Sequence, residues 1–291
     1  MTLEMLTSYH NHTTWSDGES TVAALVEGAR RAGVTELGVA DHFAIAPDGR
    51  SFPWSVRAEA LGAYVDEVLR AADAVGKAGG GADALAIRLG VEVDYFPETL
   101  EESMELLRPY PFDFVIGSVH FVDIDASPGG VAGGGSEEFC LDLNAGEWER
   151  LSPERRDQAW RIYWRRVASA ARSGCFDFIG HFDLPKKFKY YPGVDLTADA
   201  LAALDAIAAA DVAIEINTSG WHKAVQEAYP APSYVKEARL RGIPLLINAD
   251  AHHADHVARD FARARRLAAE SGYTEVVRYE RRRRIPCPLE V

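Results

Sequence analysis

A short apolar stretch followed by a helical pattern recurs about seven times along this chain. Such alternation is typical of parallel strands joined by crossover helices, and it predicts an α/β fold whose strands all end on one face. In a barrel of this kind, that face carries the functional site. The strands are predicted at residues 3–6, 36–40, 86–91, 113–119, 175–180, 212–216 and 244–248.

The helices are predicted at residues 21–32, 56–77, 98–107, 147–173, 198–210, 233–241 and 257–270. Within the fourth helix, Trp160, Trp164 and Val167 fall at helical spacing, which indicates a stripe packed in the core rather than a binding surface. Two terminal strands flank the arginine run 281–284, which we interpret as a solvated turn. A glycine-rich run at 129–135 predicts a surface insertion. No repeat or linker divides the sequence, so we expect a single domain over residues 1–291.

The charge of the chain limits its partners. The 291 residues carry a formal net charge of -13, which disfavours a surface for long nucleic acid. A small phosphorylated substrate is still compatible with that charge if metal ions supply the positive charge. The three cysteines form no disulfide or metal-binding pattern, and no stretch predicts a secretory signal or a membrane span. We therefore expect a cytoplasmic protein with no membrane partner.

Potential metal ligands cluster at the ends of the predicted strands. Six of the nine histidines stand there, and His10 and His12 are two residues apart on an extended segment, so their imidazoles point to the same side. Carboxylates occupy similar positions. The candidate ligands are His10, His12, Asp17, His42, Glu92, His120, His181, Asp250 and His252.

This set of nitrogen and oxygen donors suits zinc, manganese or iron. Because one zinc ion usually takes three or four protein ligands, nine donors predict two or three divalent metal ions. Paired ions can activate a water and hold both the attacking and the leaving oxygen of a phosphoryl transfer. The pattern therefore predicts a multinuclear metallohydrolase on a parallel barrel and leaves the bond that it cleaves open.

Seven segments of the chain resemble the polymerase and histidinol phosphatase (PHP) domain family, and within it the histidinol-phosphatase branch. They run in order over most of the sequence: His10-Asn11-His12 with Ser16-Asp17-Gly18, Val39-Ala40-Asp41-His42, Gly90-Val91-Glu92, Gly117-Ser118-Val119-His120-Phe121, Ile179-Gly180-His181-Phe182-Asp183-Leu184, Glu215-Ile216-Asn217-Thr218-Ser219-Gly220, and Asn248-Ala249-Asp250-Ala251-His252.

The resemblance implies a distorted (β/α)7 barrel with a trinuclear metal site at the C-terminal ends of its strands. By that analogy, the first ion is held by His10, His12, Glu92 and Asp250. The second is held by Glu92, His120 and His181, and the third by Asp17, His42 and His252.

The resemblance also implies a metal-dependent phosphomonoesterase that hydrolyses L-histidinol phosphate to L-histidinol and phosphate. A metal-bridging hydroxide would attack phosphorus in line while the ions neutralise the phosphate oxygens. The leaving alkoxide would take a proton from Asp183 or from a metal-bound water; alternatively, Asp183 orients His181. Candidate substrate-binding residues on loops at the same face are Lys186, Lys187, Asn217 and Ser219.

Three other functions remain open at this stage. One is a PHP-family phosphoesterase that acts on nucleotides. Another is an amidohydrolase-type metal hydrolase, although such enzymes often bridge their metals with a modified lysine and no predicted strand ends in lysine here. The third is a non-catalytic, metal-stabilised binding module. Replacing Glu92 or Asp250 is expected to abolish turnover if either enzyme hypothesis holds.

Overall fold

Parallel strands form the central sheet in a computed structural model that describes residues 5–78, 85–124 and 138–290. The strands are β1 (Thr7–Ser8), β2 (Glu36–Val39), β3 (His42–Phe43), β4 (Ala86–Asp94), β5 (Phe114–Ser118), β6 (Phe121–Val122), β7 (Phe139–Cys140), β8 (Phe178–Ile179), β9 (Ala213–Asn217), β10 (Leu245–Asn248), β11 (Glu275–Glu280) and β12 (Arg283–Pro288). The helices are α1 (Val22–Ala32), α2 (Leu61–Ala78), α3 (Leu100–Leu107), α4 (Ala145–Glu149), α5 (Pro153–Arg172), α6 (Thr197–Ala209), α7 (Pro232–Leu240) and α8 (Phe261–Glu270). The predicted insertion at 129–135 and the first two residues of the strand predicted at 3–6 lie outside the described residues.

Seven strands follow one another around the sheet in the order β1, β2, β4, β5, β8, β9 and β10, and all neighbours are parallel. β3 pairs with β4 in the register of β2, so it continues that strand after a short break. The sheet closes beyond the ends of β1 and β10, where Asn11 and Ala251 form a parallel bridge. There the His12 amide donates to the Ala251 carbonyl at 2.8 Å. The predicted seven-stranded α/β barrel is confirmed.

Aromatic side chains fill the interior of the barrel. The ring of Phe114 lies 5.0 Å from that of Tyr9 and 5.9 Å from that of Phe178, and all three side chains are buried. Two glycines make room for this packing, because a Cβ at Gly90 would lie 2.1 Å from Phe114 and one at Gly38 would lie 2.7 Å from it. The barrel is therefore a packed core rather than a channel.

The C-terminal hairpin, formed by β11 and β12, covers the N-terminal ends of the barrel strands. Val277 and Tyr279 pack among the interior aromatic residues, and the Tyr279 hydroxyl donates to the Asp177 carbonyl at 2.8 Å. Because Asp177 directly precedes β8, this hydrogen bond joins the hairpin to the end of the barrel opposite to the C-terminal strand ends. The hairpin thus closes one end and leaves the other available for a site.

The arginine run forms an exposed turn between the two terminal strands, as predicted, and two of its side chains also bind the barrel. Arg282, in the turn, pairs with Asp177, and Arg284 pairs with Asp211 at 2.7 Å. Both carboxylates stand just before barrel strands, at β8 and β9. The run therefore holds the hairpin against the barrel, through partners that lie far earlier in the sequence.

The helix predicted at 147–173 is two helices in the structure, α4 and α5. Pro153 disfavours helical backbone at the residue before it, and the Ser152 hydroxyl caps α5 by accepting from the Arg155 amide at 3.3 Å. The first helix begins and ends as its sequence predicts, with Thr21 as the N-cap and Gly33 in the left-handed region at φ 70°. Across the described parts of the chain, no helix combines the length and apolar character that a membrane crossing requires.

Candidate metal centre

The structure brings all nine candidate ligands together at the C-terminal ends of the strands. Glu92 is at the centre, with no exposed surface. Its Oε1 atom lies 3.2 Å from His10 Nε2 and 3.1 Å from His181 Nε2. Its Oε2 atom lies 2.9 Å from His42 Nδ1 and 3.5 Å from His12 Nε2. Four imidazoles from three different segments thus surround one carboxylate.

The ligand atoms form overlapping groups in which all atoms lie within 4.8 Å of one another. One group is His10, His12 and Glu92; a second is Glu92, His120 and His181; a third is His12, Asp17, His42 and His252. Asp250 forms a further group with His10 and His181. These groups of imidazole and carboxylate donors have the composition of zinc, manganese or iron sites.

Several of these atoms are buried and have no hydrogen-bond partner among the described residues. They include His10 Nε2, both ring nitrogens of His12 and Glu92 Oε2. Buried polar atoms without partners are rare in native proteins because leaving them unsatisfied is energetically unfavourable. Bound metal ions would satisfy His10 Nε2, Glu92 Oε2 and one ring nitrogen of His12, so the residues present fit a polynuclear metal site.

Asn11 explains how two neighbouring histidines can both face the site. Its side-chain amide donates to the Gly38 carbonyl at 2.9 Å, on the adjacent strand β2, and to the Ser8 carbonyl at 3.0 Å. Asn11 is therefore fixed toward the sheet, and the alternation of an extended chain sends His10 and His12 to the other side.

The loop that carries Asp17 is held by Asp41, a buried carboxylate. Asp41 accepts hydrogen bonds from the Thr13 amide at 2.7 Å and from the Ser16 hydroxyl at 2.6 Å. Gly18 lets this loop fold back closely, because a Cβ there would lie 2.5 Å from the His12 carbonyl. Asp17 thereby reaches His252, with 3.2 Å between Oδ2 and Nε2.

Two further carboxylates orient the ligands and were missed from the sequence. Glu215 accepts from His10 Nδ1 at 3.1 Å and from the His181 amide at 2.9 Å, and Asp94 lies 2.6 Å from His120 Nδ1. Fixing Nδ1 in this way leaves Nε2 of each ring to face the site. The sequence does contain a signal for Asp94, because it follows Glu92 by two residues on one strand and so points to the same side.

Backbone strain is present at two of the ligands. His181 has φ 26° and Asp250 has φ 50°, both in the left-handed region that residues other than glycine seldom adopt. Asp250 is held by its neighbours, since Ser219 and Asn217 donate to its Oδ2 atom at 3.2 and 3.1 Å. Strain that the surroundings maintain is characteristic of functional sites.

The electrostatics of the cluster favour metal ligation by His12 and Asp17. Burial, together with the neighbouring His42 and His252, lowers the pKa of His12 to about 4, so its imidazole is neutral and able to bind a metal. Burial alone would raise the pKa of the Asp17 carboxyl, but the hydrogen bond from His252 and the other histidines hold that pKa below its usual value.

A cavity of about 340 Å³ opens above the ligands. Trp54 and Phe121 form an aromatic side of the cavity, and Asp142, Lys187 and Tyr229 line it as well. The Lys187 ammonium is held by the Asp142 side chain at 3.1 Å. A cavity of this size, with aromatic side chains on one side and many charged and polar groups elsewhere, suits a small polar molecule.

Of the residues predicted to bind substrate or to transfer a proton, Lys187 and Ser219 line this cavity. Asp183, Lys186 and Asn217 are not among the described residues that line it. The Lys186 ammonium donates to Asp183, and the Asn217 amide donates to Glu215 and Asp250. The structure therefore gives these three residues internal partners instead of a face on the cavity.

Comparison with known proteins identifies similar sequences. A family model described as "PHP domain" matches residues 8–219. A probable histidinol-phosphatase from Deinococcus radiodurans is 37% identical over 240 residues, which are 82% of this chain and 82% of that protein. A histidinol-phosphatase from Bacillus subtilis is 29% identical over 191 residues, which are 60% of this chain and 66% of that protein.

Solved structures with the same fold include a histidinol phosphate phosphatase from Lactococcus lactis in complex with zinc, L-histidinol and phosphate. It is 20% identical, with a TM-score of 0.74, and the match covers 96% of this chain and 98% of that one. A putative histidinol phosphatase from Listeria monocytogenes is 19% identical, with a TM-score of 0.73, over 88% of this chain and 99% of that one. At these identities the likeness supports the fold.

Proposed function

This chain belongs to the PHP domain family, and on that basis we propose that it is a metal-dependent phosphatase that hydrolyses L-histidinol phosphate to L-histidinol and phosphate. The observation that carries the proposal is the convergence of four imidazoles on the buried carboxylate of Glu92, beneath a small cavity. The name and 37% identity of the Deinococcus radiodurans relative support the choice of substrate.

Three divalent ions are proposed, and two of their three ligand sets share Glu92. One set is His10, His12, Glu92 and Asp250; another is Glu92, His120 and His181; the last is Asp17, His42 and His252. Zinc is supported by the Lactococcus lactis relative, and manganese and iron accept the same donors. When bound, the ions supply positive charge to the phosphate and lower the pKa of a coordinated water.

The residues of the chain divide the cavity into two parts in this proposal. Lys187 and Ser219 line the cavity with a cation and a hydroxyl, which suits them to bind phosphate oxygens. On the aromatic side, Trp54 and Phe121 would stack on the imidazole ring of the substrate, and Asp142 would accept from its ammonium group. A phosphate ester with a flat, cationic organic part would satisfy both halves.

A positioning role is proposed for Asp183 in place of proton transfer. Its Oδ2 atom accepts from the Ala231 amide at 2.8 Å and from the Lys186 ammonium at 2.9 Å. Lys186 directly precedes Lys187 in the turn Leu184–Phe188, so Asp183 fixes the backbone that delivers Lys187 to the cavity. The proton for the leaving alkoxide would then have to come from solvent water and not from Asp183.

The test is phosphate release from L-histidinol phosphate, nucleoside monophosphates and bisphosphates, and an aryl phosphate, each with zinc, manganese or ferrous iron. We expect L-histidinol phosphate to be hydrolysed with a kcat/KM at least about a hundredfold above the others. A nucleotide as the best substrate would replace the proposed substrate but retain the site. No release with any metal would refute the phosphatase proposal and favour an amide hydrolase or a binding module.

Variants of the ligands provide the matched test of the site. Glu92→Gln and Asp250→Asn keep the size of each side chain but remove a charged ligand, so turnover is expected to fall by several orders of magnitude. Glu59→Gln is the control, because Glu59 is an exposed glutamate in the short helix Ala58–Ala60, away from the cavity. Full activity of Glu92→Gln would rule out the proposed metal assignment.

A further inference from the structure

A second cavity, of about 580 Å³, lies beside the turn that follows β8. Helices α5, α6 and α7 and the segment from Tyr191 to Leu196 surround it. Of the residues that the structure describes, none lines both this cavity and the one above the candidate metal ligands. Asp183 and Lys186 line this second cavity, on the side of the turn away from the metal centre.

Four aromatic rings form one continuous wall of the second cavity. Tyr191 lies 6.4 Å from Trp160, Trp160 lies 5.8 Å from Trp164, and Trp164 lies 5.8 Å from Tyr234, measured between ring centroids. The two tryptophans also belong to the core, as their helical spacing predicts, but the same stripe reaches this cavity. Tyr191, at the outer end of the wall, is 54% exposed, which is unusual for a large aromatic side chain.

One of the residues that line the second cavity carries an unpartnered carboxylate oxygen. Asp183 is only 1% exposed, and its Oδ1 atom has no hydrogen-bond partner among the described residues. Lys186 cannot supply one, because its three N–H groups are matched by three acceptors: Asp183 Oδ2 at 2.9 Å, Glu227 Oε2 at 2.7 Å and the Ala228 carbonyl at 2.7 Å. Because a buried acceptor without a hydrogen-bond partner is unfavourable, a donor on a bound molecule would stabilise Asp183 Oδ1.

The charges that line the cavity indicate the sign of the ligand. The described lining residues include four acidic residues, Asp183, Asp195, Glu227 and Glu237, and one basic residue, Lys186. Lys186 pairs with Asp183 and Glu227, and Arg241 pairs with Glu237, so the acidic groups still outnumber the basic ones. An anion would be repelled, and a neutral apolar molecule would leave Asp183 Oδ1 unsatisfied. A cation gains from the carboxylates and also from the faces of the aromatic rings.

We propose that this second cavity binds an organic cation in which a primary ammonium group is attached to a flat apolar body. The ammonium donates to Asp183 Oδ1, and the flat body packs against Trp160, Trp164, Tyr191 and Tyr234. This site is separate from the metal centre, and the inference does not depend on the substrate proposed above.

The probe is 2-phenylethylamine, which is a cation at neutral pH, compared with its neutral analogue 2-phenylethanol. Binding is measured by isothermal titration calorimetry on the full-length, metal-loaded protein. We expect saturable binding of one amine per chain, with the alcohol at least about tenfold weaker because it lacks the charge that pairs with Asp183. Equal binding of the two probes, or no binding of either, would overturn the proposal.

Variants locate the bound amine. Tyr191→Ala removes an exposed part of the wall, so it is expected to fold normally and to weaken amine binding by about tenfold. Tyr190→Ala is the matched control, since Tyr190 is the adjacent tyrosine but does not line the cavity. Asp183→Asn should reduce the preference for amine over alcohol, and where that variant misfolds, the Tyr191→Ala result decides.

The other aromatic cavity is the main competitor for the probe, and Trp54→Ala tests it. Trp54 lines the cavity above the metal ligands and not the second cavity, so amine binding should be unchanged in this variant. Loss of binding in Trp54→Ala, with full binding in Tyr191→Ala, would place the amine above the metals and refute the second site.

Discussion

Single buried carboxylates determine how the candidate metal ligands are oriented. Glu215 is fully buried and receives hydrogen bonds from His10, from the His181 amide, and from the side-chain amides of Asn217 and Asn248 at 2.9 Å each. It thus joins the first ligand segment to two later ones. Such outer partners keep an imidazole in the correct tautomer and raise its basicity as a ligand.

Replacing Glu215 by Gln is predicted to weaken metal binding, because the amide keeps the size of the side chain but loses the charge that holds His10. We expect zinc affinity and kcat each to fall by about 10- to 100-fold. The measurement is zinc competition with a chelating dye, together with phosphate release.

The matched control for Glu215→Gln is Glu36→Gln. Glu36 is also buried, and its carboxylate accepts from Arg88 at 2.6 Å and from Arg278 at 2.9 Å, at the opposite end of the barrel. This variant should lower Tm but leave zinc affinity unchanged. Equal loss of zinc affinity in both variants would show that the effect of Glu215→Gln is general destabilisation.

Lys186 and Lys187 are adjacent in sequence, but replacement by Met should affect mainly stability at Lys186 and mainly KM at Lys187. Lys186→Met leaves the buried Asp183 carboxylate unpaired, so we expect the free energy of unfolding to fall by about 3–5 kcal/mol. Lys187 lines the cavity and pairs with the partly exposed Asp142, so Lys187→Met should cost only about 1 kcal/mol and raise KM about tenfold. Urea denaturation and steady-state kinetics measure both effects. A stable Lys186→Met protein with a raised KM would reverse the assignment of the two lysines.

At the level of whole elements, the sequence predicts what depends on local pattern and misses what depends on distant partners. The strands and helices are predictable because their apolar periodicity is local, and the candidate ligands because they follow strands. The end of β4 was missed: predicted at 86–91, it runs to Asp94 because β3 pairs with it, His42 opposite Glu92. The roles of Glu215 and Lys186 likewise depend on contacts with residues far away in sequence.

The C-terminal hairpin provides an element-level prediction, since it stabilises the barrel without approaching the metal centre. Tyr279 is 2% exposed and packs inside the barrel, so Tyr279→Ala should lower the free energy of unfolding by about 3–5 kcal/mol. Tyr279→Phe keeps the ring and loses the hydrogen bonds of the hydroxyl, including the one to the Asp177 carbonyl, and about 1 kcal/mol is expected. Thermal or urea denaturation checks both values, and kcat per folded molecule should not change. A loss of kcat at unchanged stability would contradict this division of roles.

On the scale of the whole molecule, the two ends of the chain interlock. The Tyr9 amide donates to the Asn248 side chain at 2.8 Å, which joins the first barrel strand to the last, and the Tyr279 amide donates to the Tyr9 hydroxyl at 3.1 Å. We therefore propose that the chain is one folding unit. The expected result is a single calorimetric transition for the metal-loaded protein, and two separated transitions would contradict it.

The metal ions are expected to contribute to stability as well as to catalysis. The buried atoms of His10, His12 and Glu92 that lack partners would be satisfied by the ions, so chelation should lower Tm and re-addition of zinc should restore it. Each ion stabilises by about 2.7 kcal/mol when present at a hundred times its Kd. Differential scanning calorimetry with and without chelator measures the effect, and an unchanged Tm would refute a metal site made of these residues.

The stabilisation by metal should grow as pH rises, because in the metal-free protein protons take the place of the ions. Burial lowers the pKa of His42, but the charges of Glu92 and Asp17 outweigh it and raise that pKa to about 10. In the same way, Asp94 raises the pKa of His120 to about 9. Since both values exceed the unfolded value of about 6.5, the stability from these protonated imidazoles is fully present below pH 6.5 and is lost as pH rises toward 9 and 10.

In the metal-loaded protein the ligand imidazoles are already deprotonated, so its unfolding free energy does not fall over this pH range. Between pH 6.5 and 8.5, the gap in unfolding free energy between the loaded and the metal-free protein should therefore widen by roughly 2 kcal/mol for each of the two histidines. Denaturation at a series of pH values measures the gap. Zinc binding at pH 7 should also release protons, seen as a buffer-dependent heat of binding. A gap that narrows with pH, or a heat independent of the buffer, would mean that His42 and His120 do not give up protons to the metal.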